Sequence, residues 1–416
     1  MKRHALFLLA LSILFLSTGC SHTDDTVNTE DITVDYEQWD SVLSAAAGTT
    51  VTFYGWGGNE LVNDWIDDTL IPYCQETYDI TVERVAMDID MILNKQLSGD
   101  KAAGNTNGSI DLIWINGENF ATAKENGLLF GPFCQYLPNF NTYVDATSPE
   151  VTTDFGMDID GYEAPYAKAQ LVLICDSAVV PDPPTSAQAL LAFCQANPGK
   201  FTYEAPPGFT GSAFVRNIIY EICGYETVAA LDGDADKEEV RSVIAPAMEF
   251  LRQLNPYLWE GGRTFPATDA QADAMFMDGQ LLLSMSYDPY HVSSMMGSGQ
   301  YTDTCQAFVF DNGTIGNTNY VAIAGNSGNI PGALCLADAI LSIPMQASKM
   351  EPTVWGALPV LDMDRLSEEE LAVFSAIDTG AGSLSQEELL THRLPELPAG
   401  LVPVIEEIWL EEVPGK

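Results

Sequence analysis

The sequence predicts an α/β fold in which mainly parallel sheets are flanked by helices. Three observations predict it. Short β-branched and aromatic runs alternate with stretches of helical periodicity along most of the chain, the pattern that builds parallel sheets. One run, Ile110 to Ile115, is nearly all apolar, as a strand covered on both faces must be. The 416 residues, 46% of them hydrophobic, suffice for two domains with cores of their own.

At the start, Lys2 and Arg3 precede an apolar run from Ala5 to Leu16 and the small residues Ser17, Thr18 and Gly19. A charged start, a short apolar run and a small-residue cut site make residues 1–19 a secretory signal peptide. The run is too short to span a bilayer. Leu16-Ser17-Thr18-Gly19-Cys20 resembles a bacterial lipobox, although Ser17 stands where the usual pattern has Leu. The resemblance implies cleavage before Cys20 and a diacylglycerol on its thiol, leaving the mature chain outside the cytoplasm at the cell membrane. Residues 20–49 are polar and small and read as a flexible tether.

The body then opens with Thr50 to Tyr54, a strand ended by Gly55-Trp56-Gly57-Gly58. Leu61, Trp65, Ile66 and Leu70 give a helix from Asn59 to about Thr77. Ile80 to Val85 is a strand, Met91 to Gly99 a helix and Ile110 to Ile115 the third strand, with a helix from Phe120. Alternation resumes with a strand over 168–176, a helix over 186–195 and a short strand over 201–204. Helices follow at 212–223 and 238–254, strands at 281–287 and 320–324, and a helix at 332–341. Ser367 with Glu370, and Ser385 with Glu388, have capping-box spacing.

Charge and residue usage exclude several functions. A formal charge of −42 repels nucleic acid and anionic lipid head groups. Of four histidines, only His291 and His392 lie in the folded body, and neither HExxH nor GxSxG occurs. That disfavours zinc hydrolysis and imidazole-activated nucleophiles. Asp232-Gly233-Asp234-Ala235-Asp236 starts like a calcium loop, but Lys237 and Val243 hold the places that need Gly and Glu. None of the eight cysteines forms a CxxC pair, so buried thiols are the simplest reading. No metal and no cofactor is implied. A hydrolase built on two carboxylates and a protein-binding scaffold are the rival readings.

Binding is better supported, because parallel α/β sheets take ligands beyond the carboxyl ends of their strands. Trp56, Gly57 and Gly58 follow the first strand, and Asn116, Glu118 and Asn119 the third. Pro206-Pro207-Gly208-Phe209-Thr210-Gly211-Ser212 precedes a helix, whose N–H groups, with Thr210, Gly211 and Ser212, suit an anionic group. Trp56, Tyr166, Phe209 and Tyr287 are candidate walls for a cation or flat ring. Glu118 and Asp288 supply negative charge.

The run Asp111-Leu112-Ile113-Trp114-Ile115-Asn116-Gly117-Glu118-Asn119-Phe120 resembles the solute-binding proteins of bacterial ABC importers, extracellular solute-binding family 1. Within it the chain is similar to a subgroup related to thiamine, iron and polyamine binders. Further matching stretches are Phe53 to Gly58, Gly127 to Pro132, Pro206 to Gly211, Gly313 to Asn319 and Leu341 to Ala347. The resemblance implies a type II periplasmic-binding fold, two α/β lobes with the ligand between them. Residues 50–163 plus 314–350 would form lobe 1, and 168–312 plus 351–416 lobe 2. It implies a monomeric, lipid-anchored receptor that hands a small solute, cationic and thiamine-like or polyamine-like, to a membrane permease. Relatives often carry Trp at the position of Tyr166 and Asn at that of Asp288.

Overall fold

The computed structural model describes residues 34–414. The signal peptide, Cys20 and the tether up to residue 33 lie outside the described residues. The strands that set the architecture are β1 (Thr50–Gly55), β2 (Thr81–Ala86), β3 (Leu112–Ile115), β4 (Glu163–Gln170), β5 (Val172–Asp176), β6 (Leu283–Ser286), β7 (Cys305–Phe308), β8 (Thr314–Ala324) and β9 (Arg393–Leu394). Around them pack α1 (Trp39–Ala46), α2 (Glu118–Glu125), α3 (Phe209–Cys223), α4 (Lys237–Leu254), α5 (Asp269–Met277), α6 (His291–Gly297), α7 (Ile330–Ile340), α8 (Ile343–Met350) and α9 (Leu401–Glu412), among others.

The first sheet runs β9-β8-β3-β1-β2, with β4 also on β8. β1 is parallel to both β2 and β3, while β8 comes back antiparallel against β3 and β4. The second sheet, β7-β5-β6, is antiparallel throughout. The parallel alternation therefore stops at the first lobe. The predicted strand at 201–204 joins no ladder. The carbonyls of Lys200 and Phe201 accept single bonds from Leu282 and Trp259 instead.

The two sheets share their connections. β4 and β5 are one extended run interrupted at Leu171. Gln170 pairs with Gly316 in the first sheet, and Val172 with Ser286 in the second. β8 makes the return passage, with Ile315 in the second core and Tyr320, Ala322 and Ala324 in the first. Beside this passage Lys168 of β4 and Leu358 exchange backbone hydrogen bonds of 2.9 and 3.0 Å.

Two boundaries differ from those expected. The tether ends sooner, because α1 is ordered and buries Val42 and Ala46 completely. Four residues apart, they share one face of the helix, and α1 packs with that face against α7. The stretch after 350 also does not go straight to the second lobe. Trp355 stacks on Trp65, the Asp362 amide donates to the Tyr143 carbonyl, and the Tyr143 hydroxyl donates to Glu370 at 2.6 Å. These contacts hold 351–375 on the first lobe. The chain rejoins the second where Ser293 Oγ donates to the Ala381 carbonyl. It ends with α9, whose Glu411 and Glu412 pair with Arg241 and Arg252 of α4.

Capping explains several helix starts. Ser367 and Glu370 form a complete capping box, whereas Ser385 accepts only from the Glu388 amide. The seven cysteines among the described residues are unpaired thiols, and all but Cys223 are buried.

Candidate functional site

The ends of β1 and β3 face the end of β6 and the start of α3 across the junction between the lobes. Asn59 caps the helix after β1 by accepting from the Val62 amide. Its own amide nitrogen comes within 3.5 Å of Asp288 Oδ2, just past β6 on the other lobe. A second bridge runs from the Ala399 amide to the Phe155 carbonyl, 2.8 Å. The Phe155 ring also packs against Gly117 in the turn after β3.

On the first lobe, Trp56 is 54% exposed, a large apolar surface to leave in water. Its indole folds back over the chain, and a Cβ on Gly58 would lie 2.3 Å from it. A Cβ on Gly57 would lie 2.6 Å from that of Ala86. Gly57 is thus required by close approach, whereas a Cβ at Gly58 would meet only the exposed indole. Trp56 meets Trp114 of β3 edge to face at 6.4 Å. Asn116 reaches toward Asn319 of β8, Glu118 is exposed, and Asn119 is half-buried on the first turn of α2. The Gly117 amide is held by the buried carboxylate of Asp154.

Tyr166 stands one layer deeper than a ligand wall would. It is fully buried, with Trp114 at 5.3 Å and Trp355 at 5.0 Å. Together with Trp65 it surrounds Lys349, whose Nζ lies 4.5, 4.8 and 5.2 Å from the Tyr166, Trp65 and Trp355 rings. Lys349 donates to the Tyr166 carbonyl. The ring faces favour a cation, whereas complete burial pushes the amine well below its ordinary range.

On the second lobe, Phe209 is exposed and stacks edge to face on Tyr287 at 4.9 Å. The Tyr287 hydroxyl donates to Glu396, which also holds Arg216 through two N–H···O bonds of 2.8 and 2.9 Å. Burial raises the Asp288 carboxyl; His291 opposes the shift and Asp269 adds to it. The predicted anion cradle is already engaged. Thr210 Oγ1 donates to Asp269 at 3.2 Å, and Ser212 Oγ donates to Glu406 at 2.5 Å. The Glu204 side chain reaches over Gly208 and Gly211, so closely that a Cβ on Gly208 would lie 2.0 Å from its Cδ.

Sequence reasoning passed over Trp114, Lys349, Glu204, Asp269 and Glu406. Trp114 carried a signal, as an aromatic at the end of a buried strand beside a polar turn. The carboxylates carried none, since acidic residues are everywhere in this chain. Among the described residues no cluster of three or more His, Cys, Asp or Glu is placed to hold a metal ion.

Residues 70–362 match the family model described as bacterial extracellular solute-binding protein. The chain belongs to that family. It is 35% identical to Protein YnjB of Escherichia coli strain K12 over 420 residues, covering 98% of each chain. Among solved structures, this solute-binding protein resembles a putative spermidine/putrescine ABC transporter protein from Listeria monocytogenes. The TM-score there is 0.58 at 17% identity, over 87% of this chain and 98% of that one. A periplasmic thiamin binding protein gives a TM-score of 0.58 at 17% identity, over 88% and 96%. The spermidine/putrescine substrate-binding protein PotD of Streptococcus pneumoniae gives 0.59 at 13%, over 87% and 98%. At these identities the structural likeness establishes the fold, a two-lobed α/β binding protein.

Proposed function

We propose that this solute-binding protein captures a small cationic organic solute between its lobes and delivers it to the permease of an ABC importer. In this reading a lipid on Cys20 keeps it within reach of that permease. The observation that carries the ligand class is the chemistry of the facing surfaces. Trp56, Glu118 and Asn59 stand on one lobe and Asp288, Asp269 and Phe209 on the other. Carboxylates with aromatic faces are what an ammonium or a charged heterocycle needs once water is excluded. Closure of the lobes on the solute would be a hinge motion about the β4–β5 and β8 passages. The importer assignment draws on the family and on relatives whose names specify ABC transport.

Thermal-shift screening against thiamine, its phosphates, polyamines and neutral sugars tests the ligand class. Stabilisation by thiamine or a polyamine is the expected result, and stabilisation by neutral sugars alone would defeat the proposal. Cys20→Ser tests the anchor: uptake by cells should fall while the affinity of the purified protein stays the same.

A further inference from the structure

A helix start with free N–H groups is a ready anion site, and in α3 three carboxylates from three separate elements converge on that turn. Glu204 comes from the segment just before the helix, Asp269 from the first turn of α5, and Glu406 from α9. Asp269 takes the hydroxyl proton of Thr210 and Glu406 that of Ser212. Glu204 occupies the space over Gly208, and its main-chain carbonyl lies only 1.6 Å from where a Gly211 Cβ would be. Only glycine admits the backbone approach at position 211. Arg216, one turn further on, donates to Ser212 but is committed to Glu396 by its other two contacts.

We propose that Glu204, Asp269 and Glu406 act as a built-in anion that fills the α3 N-terminus and makes the cleft reject solutes carrying a phosphate or carboxylate at that end. These residues are then determinants of specificity. A ligand anion would have to displace the protein's own carboxylates and would face their charge. The crowding of acids has a visible electrostatic effect: burial and the neighbouring Asp269 push the Glu204 carboxyl up to about 7, against the Gly211 amide, which pulls it down. At pH 8 Glu204 therefore presents negative charge to the turn. The inference rests on the reading of this cleft as the solute site.

Equilibrium dialysis against radiolabelled inorganic phosphate at pH 8 tests it with a probe that needs no knowledge of the natural ligand. Wild-type protein should retain no phosphate above background. The double variant Glu204→Gln/Asp269→Asn removes two charges and leaves only neutral amide oxygens to compete with phosphate for the Gly211 amide and Thr210 hydroxyl. It should retain phosphate at least about tenfold better than wild type. Phosphate binding by the wild type at pH 8 would overturn the proposal, as would a folded double variant no better than wild type. If the double variant does not fold, Asp269→Asn alone decides in the same way, because that side chain lies at the surface. The outcome is separable from the ligand proposal. Gain of phosphate in the variant, with no cationic solute bound by the wild type, would refute the cationic ligand and uphold the filled anion site.

Discussion

Asn59 and Asp288 belong to different lobes, yet their side chains come within 3.5 Å of each other, amide nitrogen to carboxylate oxygen. At that length the bond itself is weak. Its interest is positional: in the proposed reading the two groups flank the solute from both sides. Asp288→Asn keeps the shape and removes the charge. Calorimetric titration with a bound cationic solute should show affinity falling on the order of tenfold, roughly 1.4 kcal/mol, with little change in melting temperature. An unchanged affinity would take Asp288 out of the ligand's surroundings.

Two glycines should fail in opposite ways when given a methyl group. In Gly58→Ala the new carbon collides with the Trp56 indole, an exposed ring that can swing aside. Solute affinity should drop while stability stays within about 1 kcal/mol. In Gly211→Ala the carbon meets the Glu204 backbone carbonyl, which cannot move without displacing α3. Urea denaturation should show a loss of roughly 3 kcal/mol or more, or failure to fold.

Lys349 makes stability depend on pH in a definite direction. Its folded-state pKa lies well below the ordinary value, so the unfolded chain binds the proton more readily. Stability therefore rises with pH through the interval between the folded and unfolded values. Lys349→Met removes that dependence while keeping the volume within the ring cage. The variant should gain stability relative to wild type at pH 7, and the gain should shrink toward pH 10. A gain independent of pH would mean that the lysine stays protonated inside the aromatic cage.

Arg216 and Glu396 form a buried pair, with both side chains nearly inaccessible. Arg216→Met leaves the Glu396 carboxylate enclosed with only the Tyr287 hydroxyl for a partner. A loss of about 3–5 kcal/mol is expected in urea denaturation. Tyr287→Phe removes one neutral donor to a charged acceptor and should cost about 1.5–3 kcal/mol. Similar losses from the two variants would show that the ion pair matters less than its burial implies.

The sequence carried the elements with strong local patterns and missed those set by distant partners. β3 was legible because it is apolar throughout. β8 is longer than its apolar core at 320–324 suggested, because Asn317, Thr318 and Asn319 interrupt the pattern. Those polar residues lie at the passage between lobes, where Thr318 finds the Glu150 carbonyl at 2.6 Å. Trp56 and Asp288 were legible as residues just past strand ends, and they lie there. Tyr166 was visible as an aromatic but not as a buried one, since its cover comes from Trp114 and Trp355. Lys349 looks like an ordinary surface lysine near a helix end, and only the fold around it reveals the cage. The three acids at the start of α3 come from separate parts of the chain, so no spacing rule could have joined them.

The path of the last quarter of the chain governs when folding can finish. The first lobe lacks β8 and Trp355 until that quarter is made, and the second lacks Leu401, Ile405, Ile408 and Trp409. Neither core is complete on a chain that stops before this quarter. Emerging from a ribosome, the polypeptide would lack part of both cores until this quarter had been delivered. The weave that ties the two sheets together thus also makes both cores wait for segments that are synthesised last.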